Sequence, residues 1–362
     1  MNINSLRQKA EKKGIILSST FNLYKKMAQG EVNGFTVPAF NIRTLTFDVA
    51  RALFKAVKKE KVGAFIIELA RSEINYTKQT PEEYVALILA AALAEKFKGP
   101  LFFQADHFYL DSNLKKLIKR VIKAGFYNID LDFSKLKLKE NFSQTAEFTK
   151  YIRKIQPKNL EISIGGEVGE IGGKNTTLKE LKEFMNGCGK GLIKVAVQTG
   201  TSHGGILLAS GKLKDPKQDF KTLKLLSQEA KKYGLTGIVQ HGASTLVEKY
   251  FKKFPKISVI EIHLATIFQN IIYDSIYFPK DLKEKIYLWL ENKFKKEKNK
   301  FKSEIQFFYK FRKYGFGKFK KEIWDISQIN KNKICQQLEK KFISFFRNLN
   351  VSNTLDLIRK IY

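Results

Sequence analysis

The stretch Gln104-Ala105-Asp106-His107 sets a carboxylate beside an imidazole. It closes an apolar run, Pro100-Leu101-Phe102-Phe103, that reads as a short buried strand. The 362-residue chain has four histidines, His107, His203, His241 and His263, and each follows an apolar, strand-like run. Four strands that deliver imidazoles at their C-terminal ends point to one shared site. Neutral imidazole suits Zn²⁺ and similar divalent ions, and a catalytic zinc site keeps three protein ligands and an open position. Gly204 and Gly205 follow His203, and Gly242 and Ser244 follow His241. They offer backbone N–H groups and a hydroxyl in loops of the kind that cradle phosphate. Asp106 need not bind metal and can therefore carry a proton. Together these suit carbon–carbon bond chemistry on a sugar phosphate.

The elements that must position these groups read as alternating strands and helices. Strands are predicted at 35–40, 64–69, 101–104, 128–131, 161–164, 193–197, 237–239 and 257–262. Helices are predicted at 44–59, 81–96, 114–124, 140–155, 178–185, 220–233 and 246–251. Residues 3–30 read as an amphipathic helix, and 71–80 as a loop before Pro81 at a helix N1 position. The predicted fold class is α/β, a (β/α)₈ TIM barrel over residues 1–270 with a Lys- and Phe-rich helical extension over 271–362. A doubly wound open sheet is the alternative. Sites after strands three, five, six, seven and eight converge only if the sheet closes.

The net charge of +31 comes mainly from lysine. Arginine, the usual bidentate reader of phosphates and base edges, is scarce, which argues against nucleic acid as the partner. The excess lysine fits solvated faces, while a modest positive field still attracts a phosphorylated substrate. Cys188 and Cys335 give no disulfide framework, so a reducing, cytoplasmic compartment is expected. The N-terminus lacks an apolar h-region, and no run of about 18 apolar residues argues for a membrane span.

Several stretches agree in order and spacing with those of a known family: Gln104-Ala105-Asp106-His107, Gly166-Glu167-Val168-Gly169 with Gly172-Gly173, Gly200-Thr201-Ser202-His203-Gly204 and His241-Gly242-Ala243-Ser244. With Val37-Pro38-Ala39-Phe40-Asn41, this set resembles the motifs of class II, metal-dependent fructose- and tagatose-bisphosphate aldolases. The resemblance implies zinc held by His107, His203 and His241, with Glu167 in or beside the metal shell. It also implies Asp106 as catalytic proton carrier, Gly204, Gly242, Ser244 and Thr266 at phosphate-binding positions, and Asn41 on the substrate side. Another divalent ion in place of zinc and an added monovalent cation are further candidates. A homo-oligomer, dimer or tetramer, is expected.

Three departures stand out. Family members usually carry a Glu after the Gly-Gly of the strand-five loop, where this chain has Lys174 and Asn175. Glu170 is the nearby carboxylate that could replace it. His263 stands where the family has Asn, and Ala70 where it has Ser. His263 is open between substrate contact, alternative ligand and core imidazole. Asp132 is open between facing the site and capping a helix. Arg312 is open between reaching a substrate phosphate, for instance across a dimer, and an ordinary surface role. The competing reading of the whole is a catalytically weak paralogue that binds sugar phosphates or supports an aldolase subunit.

Overall fold

Runs such as those at 37–41 and 66–70 are buried along their whole length, as strands of a parallel sheet covered on both faces must be. The computed structural model describes residues 3–202, 204–214 and 218–362. His203 and residues 1–2 and 215–217 lie outside the described residues. The strands are β1 (Ile15–Ser18), β2 (Val37–Asn41), β3 (Ile66–Ala70), β4 (Gly99–Phe108), β5 (Asn128–Leu131), β6 (Ser163–Val168), β7 (Lys194–Val197), β8 (Ile238–Gln240) and β9 (Val259–Leu264). From β2 to β9 every neighbouring pair is parallel, and β9 pairs back onto β2, so the sheet closes as an eight-stranded barrel with helices between the strands. This is the predicted TIM barrel, with helices following it to the C-terminus.

Three local expectations change. Residues 3–30 are not one helix but two, Ile3–Lys12 and Phe21–Ala28, flanking β1. β1 pairs with residues 99–102 of β4, filling the lower part of an edge that β5 takes from residue 104 onward. The stretch after β3 is a helix, Arg71–Thr77, rather than a loop. Glu73 drives it, because its carboxylate accepts from the Ala70 backbone N–H at the helix start. The segment after β8 forms 3₁₀ turns at Ala243–Thr245 and Glu248–Lys253 instead of an α-helix.

The phenylalanines of the extension explain its place. The helix Gln328–Asn348 packs on the helix Thr46–Lys59. Phe342 and Phe346 meet Phe40 of β2 edge-on, with ring centroids 5.1 and 5.8 Å apart. Phe294, Phe307, Phe311 and Tyr314 form a second aromatic cluster nearer the barrel mouth. Gly317 lets this part close in, since a Cβ there would fall 2.3 Å from the Tyr76 carbonyl oxygen. Among the described residues, no helix is long and apolar enough to cross a membrane.

Candidate active site

The C-terminal ends of the strands deliver the chemistry. At Ala105–Phe108 the pairing of β4 with β5 slips, and His107 takes a left-handed φ of +50°. Such a bulge re-aims a side chain, and a non-glycine residue held there costs of order 1–3 kcal/mol, so the surrounding structure must impose it. The His107 ring turns toward β5 and β6, with Nδ1 2.8 Å from Glu167 Oε1 and 3.0 Å from Asp132 Oδ2. His241, just past β8, lies with its Nε2 3.7 Å from Glu167 Oε1, and its ring is 4.5 Å from that of His107. Asp106, His107, Glu167 and His241 each offer one ligand atom, all within 4.8 Å of one another. This nitrogen and carboxylate oxygen set suits Zn²⁺ or a similar divalent ion. Asp132 faces His107 rather than capping a helix; the next helix begins at Leu138 with Lys137 as its N-cap.

Below that group, charged side chains fill the barrel interior, a layer the sequence reading did not anticipate. Lys194 of β7 is fully buried, with Nζ 2.9 Å from Asp130 Oδ1 of β5, 2.6 Å from Glu261 Oε1 of β9 and 2.5 Å from Gln104 Oε1 of β4. Gly165 makes the room, because a Cβ there would lie 2.4 Å from Asp130 Oδ1 and 3.1 Å from Lys194 Cε. Tyr24, from the helix below the barrel, donates to Glu261. Burial raises carboxyl pKa values, but Lys194 and His263 outweigh it at Glu261, which falls to about 2. At Asp130 burial prevails and the value rises to about 6. Burial would lower the Lys194 ammonium, yet Asp130 and Glu261 hold it above its ordinary value.

His263 joins the two layers. Its Nε2 is 2.7 Å from Glu261 Oε1, and its Nδ1 is 3.1 Å from Glu68 Oε2 and 3.3 Å from Asp106 Oδ1. Two further donor groups share His263, one with Glu68 and Asp106, the other with Asp130 and Glu261. The second already has its cation in the Lys194 ammonium, and the first offers one imidazole where the group around Glu167 offers two, so the Glu167 group is the better metal candidate. The signal for this layer was present in the strands as single charged residues inside apolar runs: Glu68, Asp130, Lys194 and Glu261.

A cavity of about 370 Å³ opens above, within the range of small-molecule sites. Asn41, Asp106, His107, Asp132, Glu170, Gly204, Gly242, His241, Ser244, His263 and Thr266 line it, so the structure brings together nearly all the sequence-derived candidates it describes. Ser244 Oγ accepts from the Ala265 backbone N–H at 2.7 Å, tying the β8 loop to the β9 loop. Glu170 stands exposed at the rim, and Lys174 and Asn175 do not line the cavity. Arg312 is placed elsewhere. It is buried and paired with Asp274 at 2.6 Å, beside a separate cavity with Tyr287 and Phe308. Arginine at the active cavity comes instead from Arg43, which donates to Glu73 at 2.7 Å and Gln269 at 3.0 Å. Lys310 and Lys313 also line it, and neither was singled out from the sequence.

Comparison with known proteins agrees with this geometry. The sequence model of the family described as fructose-bisphosphate aldolase class II matches residues 22–321. The fold is similar to that of the YdjI aldolase from Escherichia coli, with TM-score 0.60, 12% identity, and 92% of this chain and 98% of that chain covered. It is also similar to a fructose-bisphosphate aldolase from Campylobacter jejuni, with TM-score 0.59, 18% identity and coverage of 94% and 96%. A probable tagatose 6-phosphate kinase from Sinorhizobium meliloti gives TM-score 0.62 at 13% identity, with coverage of 90% and 99%.

Proposed function

The chain belongs to the class II fructose-bisphosphate aldolase family, and from that premise we propose that it is a metal-dependent aldehyde-lyase. Its reaction is the reversible cleavage of fructose 1,6-bisphosphate or tagatose 1,6-bisphosphate to dihydroxyacetone phosphate and glyceraldehyde 3-phosphate. The observation that carries this reading is the convergence of Asp106, His107, Glu167 and His241 beside the Gly204, Gly242 and Ser244 loops in one cavity. His107 and His241, with His203 of the Gly-Thr-Ser-His-Gly motif, would hold zinc, and Glu167 would stand in or beside the shell. A divalent ion bound there supplies Lewis-acid polarisation of the ketose carbonyl. Asp106 takes the C4 hydroxyl proton as the C3–C4 bond breaks and returns one in the synthetic direction. The His263 imidazole beside Asp106 Oδ1 restricts how that carboxylate turns. Asn41, fixed on Glu73 at 3.0 Å, faces the substrate. The glycine loops and Thr266 receive a phosphate through backbone N–H and hydroxyl groups.

The deciding experiment is a cleavage assay on both bisphosphates with protein stripped by a chelator and then reloaded with zinc. Zinc-dependent release of triose phosphate supports the reading. The second reading, a paralogue that binds sugar phosphates with little turnover, draws on the exposed position of Glu170. It predicts full metal loading and ligand binding with no release.

A further inference from the structure

Lys194 is fully buried beneath the active cavity and lines no part of it. An ammonium can only donate, and this one donates to acceptors on three strands: Gln104 of β4, Asp130 of β5 and Glu261 of β9. Among the described residues, no other lysine or arginine pairs with Glu68, Asp130 or Glu261. Donor chemistry then orients the groups around it. Gln104 must turn its Oε1 to the ammonium at 2.5 Å, which leaves its Nε2 facing Glu68 Oε2 at 3.0 Å and Glu261 Oε1 at 2.9 Å. Glu261 has both oxygens engaged, Oε1 by Lys194 at 2.6 Å and Oε2 by the Tyr24 hydroxyl. An ionised carboxylate only accepts, so His263 Nε2, 2.7 Å from the same Oε1, carries the proton of that hydrogen bond. With Nε2 anchored, the opposite edge of the ring stands 3.1 Å from Glu68 Oε2 and 3.3 Å from Asp106 Oδ1, measured from Nδ1.

We propose that Lys194 is a positioning residue: through Glu261 and Gln104 it fixes the His263 imidazole against Asp106. The inference rests on the reading of Asp106 as proton carrier and extends it. It puts a determinant of turnover in the barrel interior, on a side chain outside the cavity. Gln104, Lys194, Glu261 and His263 all stand on strands rather than loops, so the anchor shares the rigidity of the barrel. A lysine that only neutralised buried carboxylates would stabilise the fold without setting the ring, and the two roles give different outcomes.

The test uses the full-length, zinc-loaded protein with isotopically labelled histidine, read by nuclear magnetic resonance of the ring nitrogens. The chain has four histidines, so the ring signals are few, and His263→Gln identifies the His263 set by its loss. In the wild type the His263 Nε2 proton is expected far downfield, as a short charge-assisted hydrogen bond requires. Lys194→Met should move that signal upfield while those of His107 and His241 stay in place. The double variant Lys194→Met/Glu261→Gln removes the charge left without its cation. It should regain stability but not the wild-type signal, and it carries the test if Lys194→Met folds poorly. A His263 signal at its wild-type position in either variant would overturn the proposal. So would equal movement of all the histidine signals, which marks a general disturbance of the barrel. Turnover is scored on the same preparations. At unchanged zinc content, kcat should fall about 100-fold, the cost of a misplacement of about 1 Å, while affinity for an uncleavable hexitol bisphosphate stays within a few-fold. An unchanged kcat in a variant whose His263 signal has moved also overturns it. If the wild type cleaves neither bisphosphate, the lyase reading fails and the signal still decides the anchor; cleavage with an unmoved signal does the reverse.

Discussion

The Tyr309 hydroxyl donates to the carbonyl oxygen of Gly204 at 2.7 Å, joining the C-terminal extension to the glycine-rich stretch after β7. Gln306 makes a second tie nearby, donating to the Leu207 carbonyl at 2.7 Å. The extension is thus bonded to the loop beside the candidate metal ligands, as well as packed on the barrel wall.

Tyr309→Phe should weaken that loop by one hydrogen bond, worth about 0.5–1.5 kcal/mol. The expected outcome is a fall in kcat/KM of up to about 10-fold with little change in melting temperature. Truncation near residue 270 should be far more damaging. It removes Phe342 and Phe346 from Phe40 and exposes apolar surface. A soluble, fully active fragment of residues 1–270 would contradict this account.

His241→Ala should strip most of the zinc, and His263→Ala should leave most of it bound. The reason is that His241 stands with Glu167 and His107, whereas the His263 nitrogens face Glu68, Asp106 and Glu261. Elemental analysis of both purified variants decides the order.

Asp106→Asn should retain zinc and bind substrate within a few-fold of wild type while turnover drops about 10²–10⁴-fold, the range for a positioned acid–base group. Zinc content and kcat measured on one preparation separate this from a supporting role. Loss of a group that merely orients a ligand would weaken metal binding about 10–100-fold instead.

Lys194→Met should destabilise the fold by about 3–5 kcal/mol, because Glu261 and Asp130 would be left as buried carboxylates without their cation. Urea unfolding of Lys194→Met, Glu261→Gln and the double variant checks it. The double variant should cost less than the two single losses added together.

The alternation of apolar runs and amphipathic stretches was enough to fix a closed α/β barrel. Buried parallel strands must be apolar, and their C-terminal ends must carry whatever chemistry the barrel has. Asp106, His107, His241 and Ser244 were legible for that reason, each standing where an apolar run stops beside glycine or a second polar group. The buried layer of Glu68, Asp130, Lys194 and Glu261 was not assembled from the sequence. Each residue sits alone in its own strand, and only the stagger of strands around the barrel brings Asp130, Lys194 and Glu261 within bonding distance and links Glu68 to them through Gln104 and His263. Likewise, Lys310 and Lys313 look like any other lysines of a lysine-rich extension, and from the sequence Arg312 between them is open between a phosphate contact and an ordinary surface role. Helical geometry turns Arg312 inward to Asp274 and leaves its neighbours at the cavity. Which face of a helix meets which wall is decided by packing, and for the extension that packing is set by aromatic contacts with elements far away in the chain.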